Sequence, residues 1–277
     1  VEAIPAIIYF GSLFIVPKSP RWLYKNGNKI QARIILEKIG GPDYAKTCMS
    51  EIQESYDRQT SKANFGTVFA KKYGFIIFLG LTIAFFQQIV GINAVMYYAP
   101  SIFEQAGGGT KAAFLQAVVV GLTNLAFTLV AISLIDRLGR KTLLIIGAIG
   151  MTLALTTLGL SFNKPIEEIN TAIVLTSVLV YVASFAISFG PVMWVLLSEI
   201  FPNMIRGIAI SLVGFFNSLV SFSVTLVFPW ELTHLGPSGT FYIFGGMAFL
   251  SMFFALFFVP ETKGKSLEQL EKELIRE

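Results

Sequence analysis

Long uninterrupted apolar runs constrain this chain more than any other feature. Seven of them occur, at about residues 3–16, 73–99, 113–135, 142–162, 170–197, 207–230 and 239–259. A run of ~20 apolar residues is long enough to cross the ~30 Å hydrocarbon core of a bilayer as an α-helix. Only 14% of the 277 residues are charged, whereas a soluble domain carries about 25%. The sequence therefore predicts an all-α, polytopic membrane protein.

The polar stretches divide the chain into four predicted parts. Residues 1–16 contain an apolar segment that looks cut short, without an initial Met or a signal peptide, so we expect the chain to begin inside a larger protein. Residues 17–72 are predicted to hold short amphipathic helices at the membrane surface, with a break at Gly40-Gly41-Pro42. Residues 73–259 hold six predicted spans, and residues 260–277 form a polar tail.

The distribution of positive charge predicts the orientation in the membrane. The loops 17–72, 136–141 and 198–206 and the tail after Pro260 hold 19 of the 21 Lys and Arg residues. The alternating loops hold only the other two, Lys111 and Lys164. Cytoplasmic loops are the ones enriched in Lys and Arg. We therefore expect the C-terminus in the cytoplasm and the membrane to be a plasma membrane. Nucleic-acid binding is not expected, because this charge is spread over four loops on one face.

The polar residues exclude several classes of function. No Asp, Glu, Lys or Arg lies in the middle of a span between 73 and 259, and the only His, His234, lies in a predicted outer loop. The spans thus lack a nucleophile–base pair, a metal cluster and a phosphate loop, so we expect no enzyme, no metal and no cofactor. A heptahelical receptor stays open as an alternative. The long 17–72 loop and the single cysteine, Cys48, favour a transporter instead.

Neutral amides and aromatic residues interrupt the apolar runs instead. They are Gln87, Gln88, Asn93, Tyr97, Tyr98, Asn124, Trp194 and Asn217. Amides hydrogen-bond between helices in bilayers, so each of them alone could serve only packing. An amide also has a donor and an acceptor end, as a sugar hydroxyl does, and an indole ring can cover the C–H face of a sugar. Together they predict a site for a neutral, polyhydroxylated solute.

Two sequence features predict interruptions of the helices at this site. In a straight helix Gln87 and Asn93 point about 120° apart, and Gly91 between them permits a local break that turns both toward one cavity. Gly190-Pro191 is expected to interrupt another span four residues before Trp194. Helices interrupted by Gly or Pro are typical of the central site of a transporter.

Five motifs closely resemble those of the sugar porter family of the major facilitator superfamily. They are VPKSPRWL (16–23), QQIVGINAVMYYAPSIF (87–103), DRLGRKTLLIIGA (136–148), GPVMWVLLSEIFPNMIRG (190–207) and VPETKGKSLEQLE (259–271). The resemblance runs over the whole chain in the order of the family and is closer to bacterial proton-coupled members than to facilitative glucose transporters. It implies the C-terminal six-helix bundle of a twelve-helix transporter, preceded by the last helix of the N-terminal half and by intracellular helices.

The resemblance also implies a function and a binding site. The expected function is transport of a monosaccharide, a pentose or hexose, by alternating access. Proton symport is expected, with uniport as the alternative, and the missing N-terminal half would be a partner. The residues that match the sugar-binding positions of the family are Gln87, Gln88, Asn93, Tyr97, Tyr98, Asn124, Phe185, Gly190, Trp194 and Asn217. Ser218 stands where the family usually has Trp, and this departure bears on which sugar is preferred.

A second set of matched residues implies a cytoplasmic gate. Its members lie at the predicted inner ends of the spans: Asp136, Arg137, Arg140, Glu199, Arg206 and Glu261. Ion pairs among them would hold one state closed to the cytoplasm and break when the protein opens inward.

Overall fold

The structure is a computed structural model that describes residues 3–14, 16–58, 65–107, 109–265 and 267–275. These residues form twelve α-helices and three short 3₁₀-helices, and none of them lies in a β-strand. The α-helices are α1 (Ala3–Ser12), α2 (Pro20–Lys25), α3 (Lys29–Arg58), α4 (Gly74–Ile89), α5 (Ile92–Gln105), α6 (Thr110–Leu138), α7 (Arg140–Phe162), α8 (Thr171–Ile187), α9 (Phe189–Ile200), α10 (Arg206–His234), α11 (Gly236–Phe257) and α12 (Leu267–Leu274). The predicted all-α fold is confirmed.

The first compact unit, Val1–Lys62, contains α1 to α3. Helix α2 begins with Pro20, whose fixed φ suits a first helical position. Leu23 and Ala32 are buried in a small apolar cluster between α2 and α3. Gly41 has a φ of 85° and a ψ of 178°, which kinks α3 at the predicted break.

The second compact unit, Ala63–Glu277, contains the six helical segments among the described residues that are long and apolar enough to cross a membrane. They are Lys71–Gln105, Lys111–Leu138, Arg140–Phe162, Thr171–Ile200, Arg206–His234 and Gly236–Phe257. Each one matches a predicted run within a few residues. Helix α1, which lies within the first apolar run, has 10 residues, fewer than the ~20 that a helix needs to span a bilayer.

Helix α7 packs against α8 and α11 in the core of this unit, and α10 packs against α4. Small residues permit the close approach, because the side chains of Ser188 and Ser184 occupy the space beside Gly147 and Gly150 where a Cβ would lie. Helices α6 and α10 are the least covered. Only 17% of the most apolar stretch of each is buried, against 44% to 61% for the other spans.

Candidate functional site

A break at Gly91 builds one side of the site. Helix α4 ends at Ile89 and α5 begins at Ile92, while Gly91 between them has a φ of 86°. The ring of Phe244 fills the position that a Cβ at Gly91 would take. Both the left-handed backbone and the close ring therefore require glycine here. The predicted local break is confirmed. It divides the apolar span Lys71–Gln105 into two helices, α4 and α5.

A second break separates α8 from α9. It lies at Ser188, which has a φ of −125° and a ψ of −101°, two residues before the predicted Gly190-Pro191. Pro191 lies in the first turn of α9, where its missing N–H loses no intrahelical bond. In a continuous helix the ring of Pro191 would collide with the carbonyl group of Ile187, four residues earlier. The chain therefore departs from helical geometry upstream of the proline.

The two breaks and α10 bring four amides into one hydrogen-bonded network. Gln88 Nε2 donates to Asn217 Oδ1 at 3.1 Å and to Gln87 Oε1 at 3.3 Å. Asn217 Nδ2 donates to Gln87 Oε1 at 2.7 Å. Asn93 Nδ2 donates to Gln88 Oε1 at 2.9 Å and to Ser221 Oγ at 2.7 Å. The expected convergence of Gln87, Gln88 and Asn93 is thus present, and Gln88 is hydrogen-bonded to each of the other three amides.

Backbone carbonyls at the breaks complete this network. Gln87 Nε2 donates to the carbonyl oxygens of Phe189 at 3.0 Å and of Gly190 at 3.3 Å. Asn217 Nδ2 also reaches the carbonyl oxygen of Ala84 at 3.2 Å. Gln87 is only 4% exposed, so its amide joins α4 to α9 and α10 inside the bundle.

An open cavity of about 430 Å³ lies beside the network. Its walls come from α4, α5 and α10 and are formed by Gln88, Asn93, Tyr97, Asn217, Ser218, Ser221, Phe222 and Thr225. The volume lies within the range of ~300–1,000 Å³ that is usual for small-molecule sites. None of these side chains is charged, and no group of three or more His, Cys, Asp or Glu residues among those described could hold a metal ion. The cavity suits a neutral ligand with many hydroxyls.

Four of the ten residues predicted to bind ligand line this cavity: Gln88, Asn93, Tyr97 and Asn217. The other six do not line it, and the assignment of all ten as ligand-binding residues stays a prediction. Tyr98 packs its ring on Phe228, with the ring centroids 5.2 Å apart. Phe185 is buried beside Gly190.

Trp194 and Asn124 also lie outside the described cavity wall. The indole of Trp194 is 46% exposed and lies beside Gly214, where a Cβ would be 3.7 Å from Cη2. Gly214 lies one turn of α10 before Ser218, which lines the cavity. Asn124 is half-buried on α6, and its backbone carbonyl accepts a hydrogen bond from Thr128.

Three cavity residues were not predicted from the sequence. They are Ser221, Phe222 and Thr225, all on α10. Asn217, Ser221 and Thr225 follow one another at intervals of four residues, which places them on one helical face. That polar stripe within an apolar run is the signal by which the serine and the threonine could have been found.

The residues predicted to form a gate lie at the helix ends remote from His234. Arg140 Nη2 contacts Glu199 Oε1 at 2.8 Å and Asp136 Oδ1 at 3.1 Å. Arg140 Nη1 also donates to the carbonyl oxygen of Ile135 at 3.1 Å. Glu199 Oε2 accepts from Thr262 Oγ1 at 2.6 Å. The side chains of Arg140 and Glu199 are only 11% and 21% exposed, so this pair is largely shielded from solvent.

Glu261 contacts the same cluster through hydrogen bonds from backbone N–H groups to its carboxylate. Its carboxylate accepts from the N–H groups of Arg140 at 3.0 Å and Lys141 at 3.2 Å, at the first turn of α7. Gly139 has a φ of 89°, and the Glu261 carboxylate occupies the position where its Cβ would be. Arg206 Nε donates to the carbonyl oxygen of Phe201 at 2.9 Å, and the carbonyl of Arg137 accepts from Lys263 Nζ at 2.5 Å.

Comparisons with known proteins agree with this architecture. The family model described as "Sugar (and other) transporter" matches residues 1–274. The chain is 43% identical over 276 residues to the D-xylose-proton symporter of Escherichia coli K12, covering 98% of this chain and 55% of that protein. It is 35% identical over 273 residues to the arabinose-proton symporter of Bacillus subtilis, covering 99% and 58%. The expected likeness to bacterial proton-coupled members of the sugar porter family is confirmed.

A solved structure has the same fold. The proton:xylose symporter XylE bound to 6-bromo-6-deoxy-D-glucose superposes with a TM-score of 0.82 at 42% identity. The match covers 99% of this chain and 57% of that one. The chain therefore spans little more than half the length of the relatives it matches.

Proposed function

Because the chain belongs to the sugar (and other) transporter family, we propose that it forms half of a proton-coupled monosaccharide transporter. The observation that carries this proposal is the amide network of Gln87, Gln88, Asn93 and Asn217 on the wall of an uncharged cavity. A pentose or a hexose has the hydroxyls that such a wall can bind. Both curated relatives compared above are proton symporters of pentoses, which supports proton coupling in the complete protein.

The amides bind hydroxyls without the solvation cost of burying a charge. Gln88 Oε1 accepts one hydrogen bond, from Asn93, so it keeps a second lone pair for a hydroxyl donor. Gln87 Oε1 accepts a hydrogen bond from Asn217 Nδ2 and thereby fixes the orientation of the Asn217 side chain. The remaining predicted residues, namely Tyr97, Tyr98, Asn124, Phe185, Gly190 and Trp194, complete the proposed sugar-binding set, with Trp194 as the stacking ring and the tyrosines as an outer cover.

The charged cluster acts as a gate in this proposal. Its proposed members are Asp136, Arg137, Arg140, Glu199, Arg206 and Glu261. The Arg140–Glu199 pair joins the α6–α7 turn to the end of α9, so separating these helices breaks it. A ligand that favours one state over the other then shifts the population between the two states.

The N-terminal half of the transporter is the proposed partner of the two least covered helices. The relatives are nearly twice as long as the matched region, and α6 and α10 carry the smallest buried fractions of the six spans. The cavity opens beside α10, so a partner half packed there would supply its remaining wall.

The proposed location is a bacterial inner membrane, with the C-terminus in the cytoplasm. The supporting observation is the placement of 19 of 21 Lys and Arg residues in alternate loops. The gate cluster lies at those same helix ends, which makes it a cytoplasmic gate.

Uptake by the full-length protein in proteoliposomes tests the function. We expect radiolabelled D-xylose, D-glucose or L-arabinose to accumulate when an inward proton gradient is applied, and to stop accumulating when a protonophore collapses it. If the labelled sugar reached equal concentrations on both sides of the membrane but did not accumulate, the protein would be a uniporter. Sugar binding without any movement across the membrane would instead fit a receptor and refute the proposal.

A further inference from the structure

The cavity continues along α10 beyond the amide network. Ser218, Ser221, Phe222 and Thr225 line it together with Asn217. At 100° per residue these five positions lie within ~140° of one another, and Thr225 lies ~12 Å along the axis from Asn217. One broad face of α10 therefore forms a wall that is longer than the amide network itself.

Two hydroxyls on this wall keep hydrogen-bonding capacity for a ligand. Ser221 Oγ accepts from Asn93 at 2.7 Å, but its own O–H donates to no acceptor among the described residues. The Thr225 hydroxyl makes no hydrogen bond with any part of the chain that the structure describes. Ser218, in contrast, donates to the carbonyl oxygen of Gly214 at 3.0 Å. A polar group on a cavity wall needs a partner from a ligand or from water.

Aromatic rings accompany these hydroxyls. Phe222 is 63% exposed and Tyr97 is 70% exposed, and both line the cavity. An aromatic face packs on the C–H face of a sugar ring while nearby polar groups bind its hydroxyls. Ser218 leaves room on this wall, because its side chain is short.

We propose that Ser221, Phe222 and Thr225 form a second subsite for a hydroxylated ring, next to the ring that the amides hold. The substrate class is then a disaccharide or a comparable glycoside, bound with one ring on Gln88, Asn93 and Asn217 and the other ring along α10. This proposal rests on the proposed function and extends it from one sugar unit to two.

Calorimetric binding to the full-length protein in detergent tests the second subsite. The probes are D-xylose, D-glucose, maltose and cyclohexyl α-D-glucoside, whose second ring has no hydroxyls. We expect maltose to bind more tightly than D-glucose. Thr225→Val keeps the side-chain shape but removes the hydroxyl, so it should weaken maltose binding about two- to tenfold, the value of one net hydrogen bond. Binding of D-glucose and of cyclohexyl α-D-glucoside should not change.

Ser223→Ala is the matched control, because Ser223 is exposed on the same helix and donates to the carbonyl oxygen of Leu219. It should leave all four affinities unchanged. Thr225→Ala provides a second removal of the hydroxyl if the valine variant does not fold. Monosaccharide binding without maltose binding, or maltose binding that neither Thr225 variant weakens, would overturn the second subsite and leave the proposed function standing. If neither the monosaccharides nor maltose bind, both proposals fail.

Discussion

Replacing Gln88 with alanine tests whether its side-chain amide binds ligand or only joins helices. Gln88 lines the cavity and is the link between Asn93 on α5 and Asn217 on α10. Both of its N–H donors are occupied, by Gln87 and Asn217, whereas one lone pair of Oε1 remains for a ligand. Gln88→Ala therefore removes one contact to a sugar hydroxyl and also releases three neighbouring amides, Gln87, Asn93 and Asn217.

The expected loss of affinity follows from these contacts. One net hydrogen bond to a neutral group is worth ~1 kcal/mol, and leaving Asn217 Oδ1 without its donor costs about as much again. At ~1.4 kcal/mol per factor of ten, the lost contact alone predicts a ~5-fold loss of affinity, and the sum of ~2 kcal/mol predicts a ~30-fold loss. The melting temperature should fall as well, because hydrogen bonds between membrane helices contribute ~0.6 kcal/mol each on average.

The assay is equilibrium sugar binding together with thermal unfolding on the same preparation of the full-length protein. Gln116→Ala is the matched control, since Gln116 lies on α6 away from the cavity wall and its buried Oε1 has no hydrogen-bond partner among the described residues. The control should keep the affinity of the parent protein. A folded Gln88→Ala variant with unchanged affinity would refute the assignment of Gln88 as a ligand-binding residue and leave it as a contact between helices.

Gly91→Ala should lower thermal stability by at least ~1–2 kcal/mol, the cost of a left-handed backbone for an L-residue, and a melting curve equal to that of the parent would contradict the required break. Arg140→Ala and Glu199→Ala should each lower transport while binding from the outer side stays largely intact, because in the proposed gate this pair stabilises one state and it does not line the cavity; a loss of equilibrium binding with normal transport of bound sugar would oppose the gate. A cysteine introduced beside Lys111 should react with an impermeant thiol reagent outside intact cells and one beside Lys265 should not, and the reverse pattern would invert the orientation.

The spans and the first break were predictable because each depends on a local property. Apolar runs of sufficient length leave a helix as the only arrangement that satisfies the backbone in lipid. Gly91 stands between two amides that a straight helix would point apart, so its role as a break follows from helical geometry alone. The charged clusters at 136–141 and near Glu199 were likewise evident as polar ends of apolar runs.

The contacts between helices were less predictable. Nothing near Gln87 in the sequence indicates that its amide meets the carbonyl of Phe189, 102 residues further along the chain. The second break lies at Ser188 because the proline ring acts on the carbonyl one turn upstream, an effect that shifts a boundary away from the residue that causes it. The spacing of Asn217, Ser221 and Thr225 shows that they share one face of α10, but only the packed helices show that this face lines a cavity with α4 and α5.

The cap on α7 carries a consequence for biosynthesis. The carboxylate of Glu261 serves the backbone N–H groups of Arg140 and Lys141 across 121 and 120 residues of chain. A chain grows from its N-terminus at ~5–20 residues per second, so α6 and α7 are synthesised well before their cap exists. Until Glu261 has been synthesised, these N–H groups need another acceptor such as water, so the first turn of α7 gains this carboxylate only after α11 has been made.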